Sequence, residues 1–314
     1  MKKKILICGA TGFIGRNFIN KFRLNKKYKI IAVYNNKKPI PIKNVSWIKA
    51  DLRKYKNCMR VTKGIEIVLQ FAATTSGSNI ILDKPYVHVT DNAVMNSYLL
   101  KSIFHNKIKH FVFTSCTVMY PNSKTKCKEN MVDENKIYIP YFGAAITKLY
   151  IEKLCLFFSR ICNTKFSIIR HSNIYGPYDK FDIKNGHFIG SSFKKILSKK
   201  IKSISIFGQG TEKRDYLYVD DLITFVEKVL QKQKNNYEIF NCSYGKSYSI
   251  LNVLKKIIHL STSKKKVIKK KGKNLAINIL VSNTKAKREL NWSPKYSLDE
   301  GLKKTLKWYR ENYN

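Results

Sequence analysis

Apolar residues fall in two rhythms along the chain. Short unbroken runs occur at Lys4-Ile-Leu-Ile-Cys8, Lys29-Ile-Ile-Ala-Val-Tyr34, Val45-Ser-Trp-Ile-Lys-Ala-Asp51-Leu52 and Ile65-Glu-Ile-Val-Leu-Gln-Phe-Ala-Ala73. A strand covered on both faces needs no polar alternation, so these runs read as four buried parallel strands. The third is expected to end at Asp51 and the fourth to run through Ala73. Elsewhere the apolar spacing switches to three and four: Phe18, Ile19 and Phe22, and then Leu149, Ile151, Leu154, Cys155, Phe158 and Ile161. That spacing predicts helices with one apolar face. Strands alternating with helices predict a parallel sheet with right-handed crossovers. Tyr237-Glu-Ile-Phe-Asn-Cys242 reads as a later strand rejoining it.

Gly9-Ala-Thr-Gly12-Phe-Ile-Gly15 sits between the first strand and the first helix. Gly9 permits a tight turn, Gly12 lets the backbone approach a pyrophosphate, and Gly15 lets helix and strand pack closely. The helix N-terminus then faces the phosphates. This placement makes the expected fold α/β, a Rossmann-type doubly wound parallel sheet that binds a dinucleotide. A carboxylate at the end of the second strand would grip the ribose hydroxyls of NAD. The chain has Asn35-Asn36-Lys37-Lys38 there. Lys37 and Lys38, with Arg16 from the first helix, suit a 2'-phosphate, so NADP is preferred over NAD. Asp51 is placed to meet the adenine.

Composition changes the picture little. The 314 residues are 44% hydrophobic, enough for a large core or two fused lobes. The apolar run after Met1-Lys-Lys-Lys stops at Gly9, too early for a signal peptide. No apolar run reaches the ~18 residues of a membrane span. Seven scattered cysteines suit neither a disulfide framework nor zinc, so a reducing cytoplasm is expected. The net charge is +41, densest at Lys264–Lys273. No nucleic-acid module accompanies the lysines, so they read as solvated faces in a Lys-, Ile- and Asn-rich chain. Their field would still attract an anionic nucleotide.

The glycine motif, Phe71-Ala72-Ala73, Asn92, Phe113-Thr-Ser-Cys-Thr-Val-Met-Tyr120-Pro, Asn173-Ile-Tyr175-Gly-Pro177, Arg214-Asp-Tyr-Leu-Tyr-Val-Asp220-Asp221 and the tail Leu290-Asn-Trp292-Ser-Pro294 follow one another in order. Together they resemble the extended short-chain dehydrogenase/reductase family, which acts on nucleotide sugars. Within it, Tyr175-Gly-Pro-Tyr-Asp179-Lys-Phe181 with His187 is similar to the GDP-L-fucose synthases. The resemblance implies a homodimer built on the helix after Tyr141. It implies a cofactor lobe over 1–169, rejoined by 215–244, and a smaller sugar-nucleotide lobe over 170–214 and 245–314. Cofactor contacts are implied at Gly9, Thr11, Gly12, Phe13, Ile14, Gly15, Arg16, Asn35, Lys37, Asp51, Leu52, Phe71, Ala72, Ala73 and Lys148. Substrate contacts are implied at Asn173, Lys180, His187 and Arg214, with Arg214 clamping the diphosphate. The implied reaction passes hydride between nicotinamide and C4 of a GDP-4-keto-6-deoxy sugar, as a reductase or epimerase-reductase. The alternatives are a 4-epimerase that retains NAD and a catalytically silent relative.

Three positions depart from the family's pattern. Where the fucose synthases carry serine four residues before the strand-end tyrosine and cysteine two before it, this chain has Cys116 and Val118. Cys116 reads either as a displaced thiolate base or as a small buried residue. Thr117 is the nearest hydroxyl for the sugar oxygen. The third position is Ala144, four residues before Lys148, where the family has its reactive tyrosine. Three readings stand: an introduced replacement that disables the chain, a relocated tyrosine at Tyr141, or another acid–base group or none. Tyr141 precedes Lys148 by seven residues, two turns or ~10 Å along a helix.

Overall fold

A computed structural model describes residues 2–75, 81, 84–123, 125–271 and 277–313. The end of the lysine patch, Gly272-Lys273, lies outside the described residues. Seven strands form one parallel sheet: β1 (Lys3–Cys8), β2 (Tyr28–Tyr34), β3 (Val45–Lys49), β4 (Ile67–Gln70), β5 (His110–Cys116), β6 (Lys165–His171) and a later strand, Tyr237–Cys242. The order across the sheet is β3-β2-β1-β4-β5-β6, with Tyr237–Cys242 beyond β6, and every neighbouring pair is parallel. The order reverses between β1 and β4, and that crevice is where doubly wound sheets place a ligand.

Helices cover both faces. On one side α1 (Phe13–Phe22) packs with α6 (Val219–Lys232) over Ile5, Ile7, Ile30, Leu69 and Val112. On the other, α2 (Tyr55–Thr62), α3 (Thr90–His105) and α4 (Phe142–Ile161) cover Leu6, Val68, Phe111, Phe113, Phe166 and Ile168. Alternate residues of one strand thus enter different cores, which explains the unbroken apolar runs. Two of those runs are shorter than their sequence suggests. β3 stops at Lys49, before Asp51, and β4 stops at Gln70, before Phe71-Ala72-Ala73. Past Gln70 the chain bends over Gly9, where an added Cβ would lie 2.7 Å from Ala72.

The remaining elements form smaller sheets. β7 (Asn173–Tyr175), β9 (Lys213–Tyr218) and β11 (Ser247–Ser249) make one, and β8 (Ser203–Phe207) pairs with β12 (Lys266–Lys270) in another. α5 (Phe188–Leu197) and α7 (Ile250–Leu260) pack against each other beside them. Short α8 (Thr284–Leu290) leads to α9 (Leu298–Tyr313). Tyr237–Cys242, the strand beside β6, is β10. Among the described residues no helix is long and apolar enough to cross a membrane.

Candidate active site

The carboxyl edge of β1 makes a cradle for phosphate. Gly9 has φ of +73°, a left-handed conformation that favours glycine, and its carbonyl accepts from the Gly12 N–H at 3.0 Å in the turn into α1. A Cβ on Gly15 would sit 2.5 Å from the Gly9 carbonyl oxygen, so only glycine lets α1 approach this closely. Gly12 is the N-cap of α1, and no side chain caps it among the described residues. The first N–H groups of a ten-residue helix therefore stay open at its positive end. This cradle fits a dinucleotide pyrophosphate.

Around it the expected contacts divide. Phe71 packs on Phe18 with ring centroids 5.9 Å apart, and Leu52 is buried. Asn35, Lys37 and Lys38 follow β2 with the lysines exposed. Arg16 does not reach towards them; its guanidinium lies 4.8 Å over the ring of Tyr178. Asp51 is gripped by Arg53, whose Nε donates to Oδ1 at 3.0 Å and whose second guanidinium nitrogen pairs with Oδ2 at 2.9 Å. The Arg53 hydrogen bond holds the Asp51 carboxyl below its ordinary range. Arg53 also pairs with Asp91 at 3.1 Å, tying this corner to α3. Asn92 of α3 accepts from the Thr74 N–H at 2.9 Å and donates to the Thr74 carbonyl at 3.0 Å, fixing the chain after β4.

Lys148 reaches the sheet edge from α4. Its Nζ donates to the Thr114 carbonyl of β5 at 2.8 Å and lies 4.6 Å over the Phe113 ring. Burial lowers its pKa, against the opposing pull of Cys116 and Glu152. One turn further, Glu152 is 3% exposed and forms a buried pair with Arg170 of β6, which donates to it at 2.6 Å. Ser115 also donates to Glu152, at 2.6 Å. Arg170 continues to the Tyr120 hydroxyl and the Glu129 carbonyl, and Tyr120 donates to Asn241 at 2.7 Å. This network fixes α4, β5 and β6 beneath the site.

Cys116 ends β5, and burial pushes its thiol up while Lys148 opposes that shift. The protonated thiol is the favoured form. Thr117 is buried in the turn that follows, with its carbonyl accepting from the Tyr120 N–H at 3.2 Å. Ala144 lies half-buried in the first turn of α4. Tyr141 is not on that helix: it ends a short 3₁₀ turn, Ile139–Tyr141, forced by Pro140. Its ring packs in a buried cluster with Tyr120, Cys127 and Ile279. Burial raises its pKa, while the charge and hydrogen bond of Arg214 pull the other way. Arg214 further donates to the carbonyls of Lys213, at 3.1 Å, and Ile277.

Lys180 and Asn173 are exposed, with the Asn173 amide donating to the Asp215 carbonyl at 3.0 Å. His187 caps α5, and its Nδ1 lies 3.3 Å from Asp179. Burial lowers its pKa, but the hydrogen bond and charge of Asp179 outweigh that and leave it raised. A raised folded pKa means that the pair stabilises fully below the unfolded value, near 6.5. The contribution is lost as pH rises through the higher folded value. An NMR titration of His187 is therefore expected to give a midpoint above 6.5 that falls in Asp179→Asn. An unchanged midpoint would show that Asp179 does not hold the imidazole.

Sequence reasoning missed Arg53 and two further histidines. His88 lies before α3, and burial, then His187 and Lys148, lower its pKa. His171 ends β6 directly beside Cys116. Its place two residues before the Asn173-Ile-Tyr175-Gly-Pro177 motif was the available signal.

A glycine cradle at the first turn and a lysine helix against the fifth strand define an α/β enzyme fold built to hold a nucleotide across the sheet edge. The chain belongs to the NAD dependent epimerase/dehydratase family, whose profile matches residues 5–243. It is 27% identical to a UDP-glucuronate 4-epimerase of Thermodesulfobacterium geofontis, covering 98% of this chain and 96% of that protein. Identity is 25% to a GDP-L-colitose synthase of Yersinia pseudotuberculosis, covering 99% of both. Among solved structures, a UDP-glucose 4-epimerase of Thermotoga maritima with UDP-glucose aligns at TM-score 0.87 and 26% identity, over 99% of this chain and all of that one.

Proposed function

We propose that the protein acts at C4 of a nucleotide-diphosphate sugar, with hydride passing between C4 and a bound nicotinamide. The single observation that carries this reading is Lys148 held at the carboxyl edge of β5, 2.8 Å from the Thr114 carbonyl, on the same sheet edge as the glycine cradle with β4 between them. Nicotinamide supplies hydride exchange when bound. The chain's own groups do the rest: Gly9, Gly12 and the start of α1 receive the pyrophosphate, and Lys148 holds the nicotinamide ribose. Asp51 and Leu52 face the adenine side. The segments 170–214 and 245–314 form the sugar-nucleotide lobe, with Asn173, Lys180 and Arg214 towards the diphosphate and Thr117 towards the sugar oxygen.

The first form of this reading is a GDP-4-keto-6-deoxy-sugar reductase or epimerase-reductase. The Asp179–His187 pair favours it, because a raised imidazole can protonate a ring carbon. Val118 replaces the usual cysteine, which weakens ring epimerisation and leaves the C4 step. The second form is a UDP-sugar 4-epimerase, favoured by the relatives named above. Cofactor preference follows the end of β2, where no carboxylate follows Tyr34 and Lys37 is free to meet a 2'-phosphate. Asn35→Asp is expected to weaken NADP relative to NAD by about tenfold, a single charge-assisted contact. Competitive fluorescence titrations would measure it, and an unchanged ratio removes the NADP preference.

The test is turnover of UDP-glucose, UDP-glucuronate and a GDP-4-keto-6-deoxy sugar, with NAD or NADPH, by this chain and by Ala144→Tyr. Stoichiometric NADPH oxidation identifies the reductase, and sugar interconversion without it identifies the epimerase. Turnover by the tyrosine form alone marks Ala144 as the disabling position. Silence of both forms with every sugar sinks the C4 reading. A homodimer is also expected, because Tyr150, Phe157 and Ile161 of α4 stand exposed beside Tyr98 and Phe104 of α3. Phe157→Lys should shift the mass in light scattering from dimer to monomer; a monomeric parent chain overturns that expectation.

A further inference from the structure

Ala144 has no group that can move a proton, and the Tyr141 hydroxyl is bonded to Arg214 inside a buried cluster. The C4 reading needs a proton acceptor for the sugar hydroxyl, and the inference below rests on that reading. We propose that His171 is this acid–base residue, its Nε2 taking the C4 hydroxyl proton and returning it in the reverse step.

Position comes first. His171 is the last residue of β6 and is register-paired with Cys116, the last residue of β5. Parallel neighbours lie ~4.8 Å apart, and paired residues point to the same face. Lys148 is anchored two residues earlier on β5, at the Thr114 carbonyl. The imidazole therefore sits at the carboxyl edge of the sheet, on the strand beside the one that anchors Lys148.

Its tautomer is fixed as well. Nδ1 is 2.8 Å from the Ser172 carbonyl oxygen. A carbonyl only accepts, so Nδ1 carries the proton and Nε2 keeps its lone pair. No hydrogen-bond partner of Nε2 occurs among the described residues, and the side chain is half-buried rather than sealed.

Charge supports the same role. Burial above all, with Lys148 and His187 adding to it and the Ser172 hydrogen bond opposing, lowers the imidazole pKa to about 4. The groups facing it are thus Lys148 from α4, His187 at the start of α5 and Cys116 on β5, whose thiol is neutral. His171 is neutral near pH 7 and can accept. Once protonated it is repelled by the same cations, which favours return of the proton. The step balances: the C4–H bond breaks with hydride going to nicotinamide, the O–H proton goes to Nε2, and C4–O becomes a carbonyl. The reverse step restores the hydroxyl.

The experiment compares the parent chain with His171→Ala, Tyr141→Phe and Ala144→Tyr, using the three nucleotide sugars named above. His171→Ala is expected to lose about 100-fold or more in kcat with a small change in KM, the usual worth of a positioned proton-transfer group. Imidazole added at millimolar concentration should restore at least ~10-fold to His171→Ala and nothing to the parent, which a merely structural histidine would not do. Tyr141→Phe should stay within a few-fold. Independently of turnover, nitrogen NMR of the imidazole should show the Nδ1–H tautomer at neutral pH. Its Nε2 signal should move when UDP-glucose and NAD are added. A His171→Ala chain within ~3-fold of the parent, or one without imidazole rescue, overturns the proposal. Activity confined to Ala144→Tyr overturns it while sparing the C4 reading, and silence in every chain removes both.

Discussion

Arg170→Met is expected to lower stability by about 3–5 kcal/mol, the cost of leaving a buried charge without its partner. Glu152 and Arg170 are 3% and 4% exposed at the side chain, so water screens neither. Removing the guanidinium leaves Glu152 with the Ser115 hydroxyl and without its ion-pair partner. It also strips the Tyr120 hydroxyl and the Glu129 carbonyl of the donor they share. Methionine fills much of the volume, so the loss reports charge and hydrogen bonding rather than a cavity. Urea unfolding of the parent, Arg170→Met and Arg170→Met/Glu152→Met measures it. The double variant should recover most of the loss, because replacing both charges by apolar groups removes the desolvation cost together with the attraction. A single variant within ~1 kcal/mol of the parent would mean that water reaches the pair.

Lys148→Met is expected to abolish turnover by about 10²–10⁴-fold and to weaken cofactor binding in parallel. Methionine keeps the apolar stem against Phe113 but deletes the ammonium that sits on the Thr114 carbonyl. The fold should survive, since the stem keeps its packing and the Thr114 hydrogen bond is what is lost. Fluorescence titration with NAD and NADPH separates the two effects, and circular dichroism checks the fold. The lowered pKa of Lys148 adds a second signature: its ammonium loses its proton as pH rises through a value below the ordinary 10.5, so cofactor affinity should fall at a lower alkaline pH than for an ordinary lysine. Unchanged affinity and turnover in the methionine variant would remove Lys148 from the site and the C4 reading with it.

The strands were legible because apolar runs in a two-faced sheet carry their own signal. β1 and β2 differ from their sequence readings by a single residue at one end. The ends of β3 and β4 were less legible. Whether Asp51 or Ala73 continues a ladder depends on what crosses above it, and in β4 that is Gly9. The cradle was legible from glycine spacing, since glycine marks positions where a side chain has no room. Arg16 was not: a long cation can turn either way from α1, and the ring of Tyr178, 162 residues away, decided the direction.

By itself, the sequence determined the local choices: which segments are strands, where the helix starts on open N–H groups, and that Ala144 cannot exchange a proton. Tertiary structure alone decided which distant groups share the site. It put Tyr141 against Arg214, Asp179 under His187, and His171 beside Cys116. The reason is that periodicity reports the environment of one segment, whereas acid–base chemistry depends on charges and hydrogen bonds that folding assembles from several.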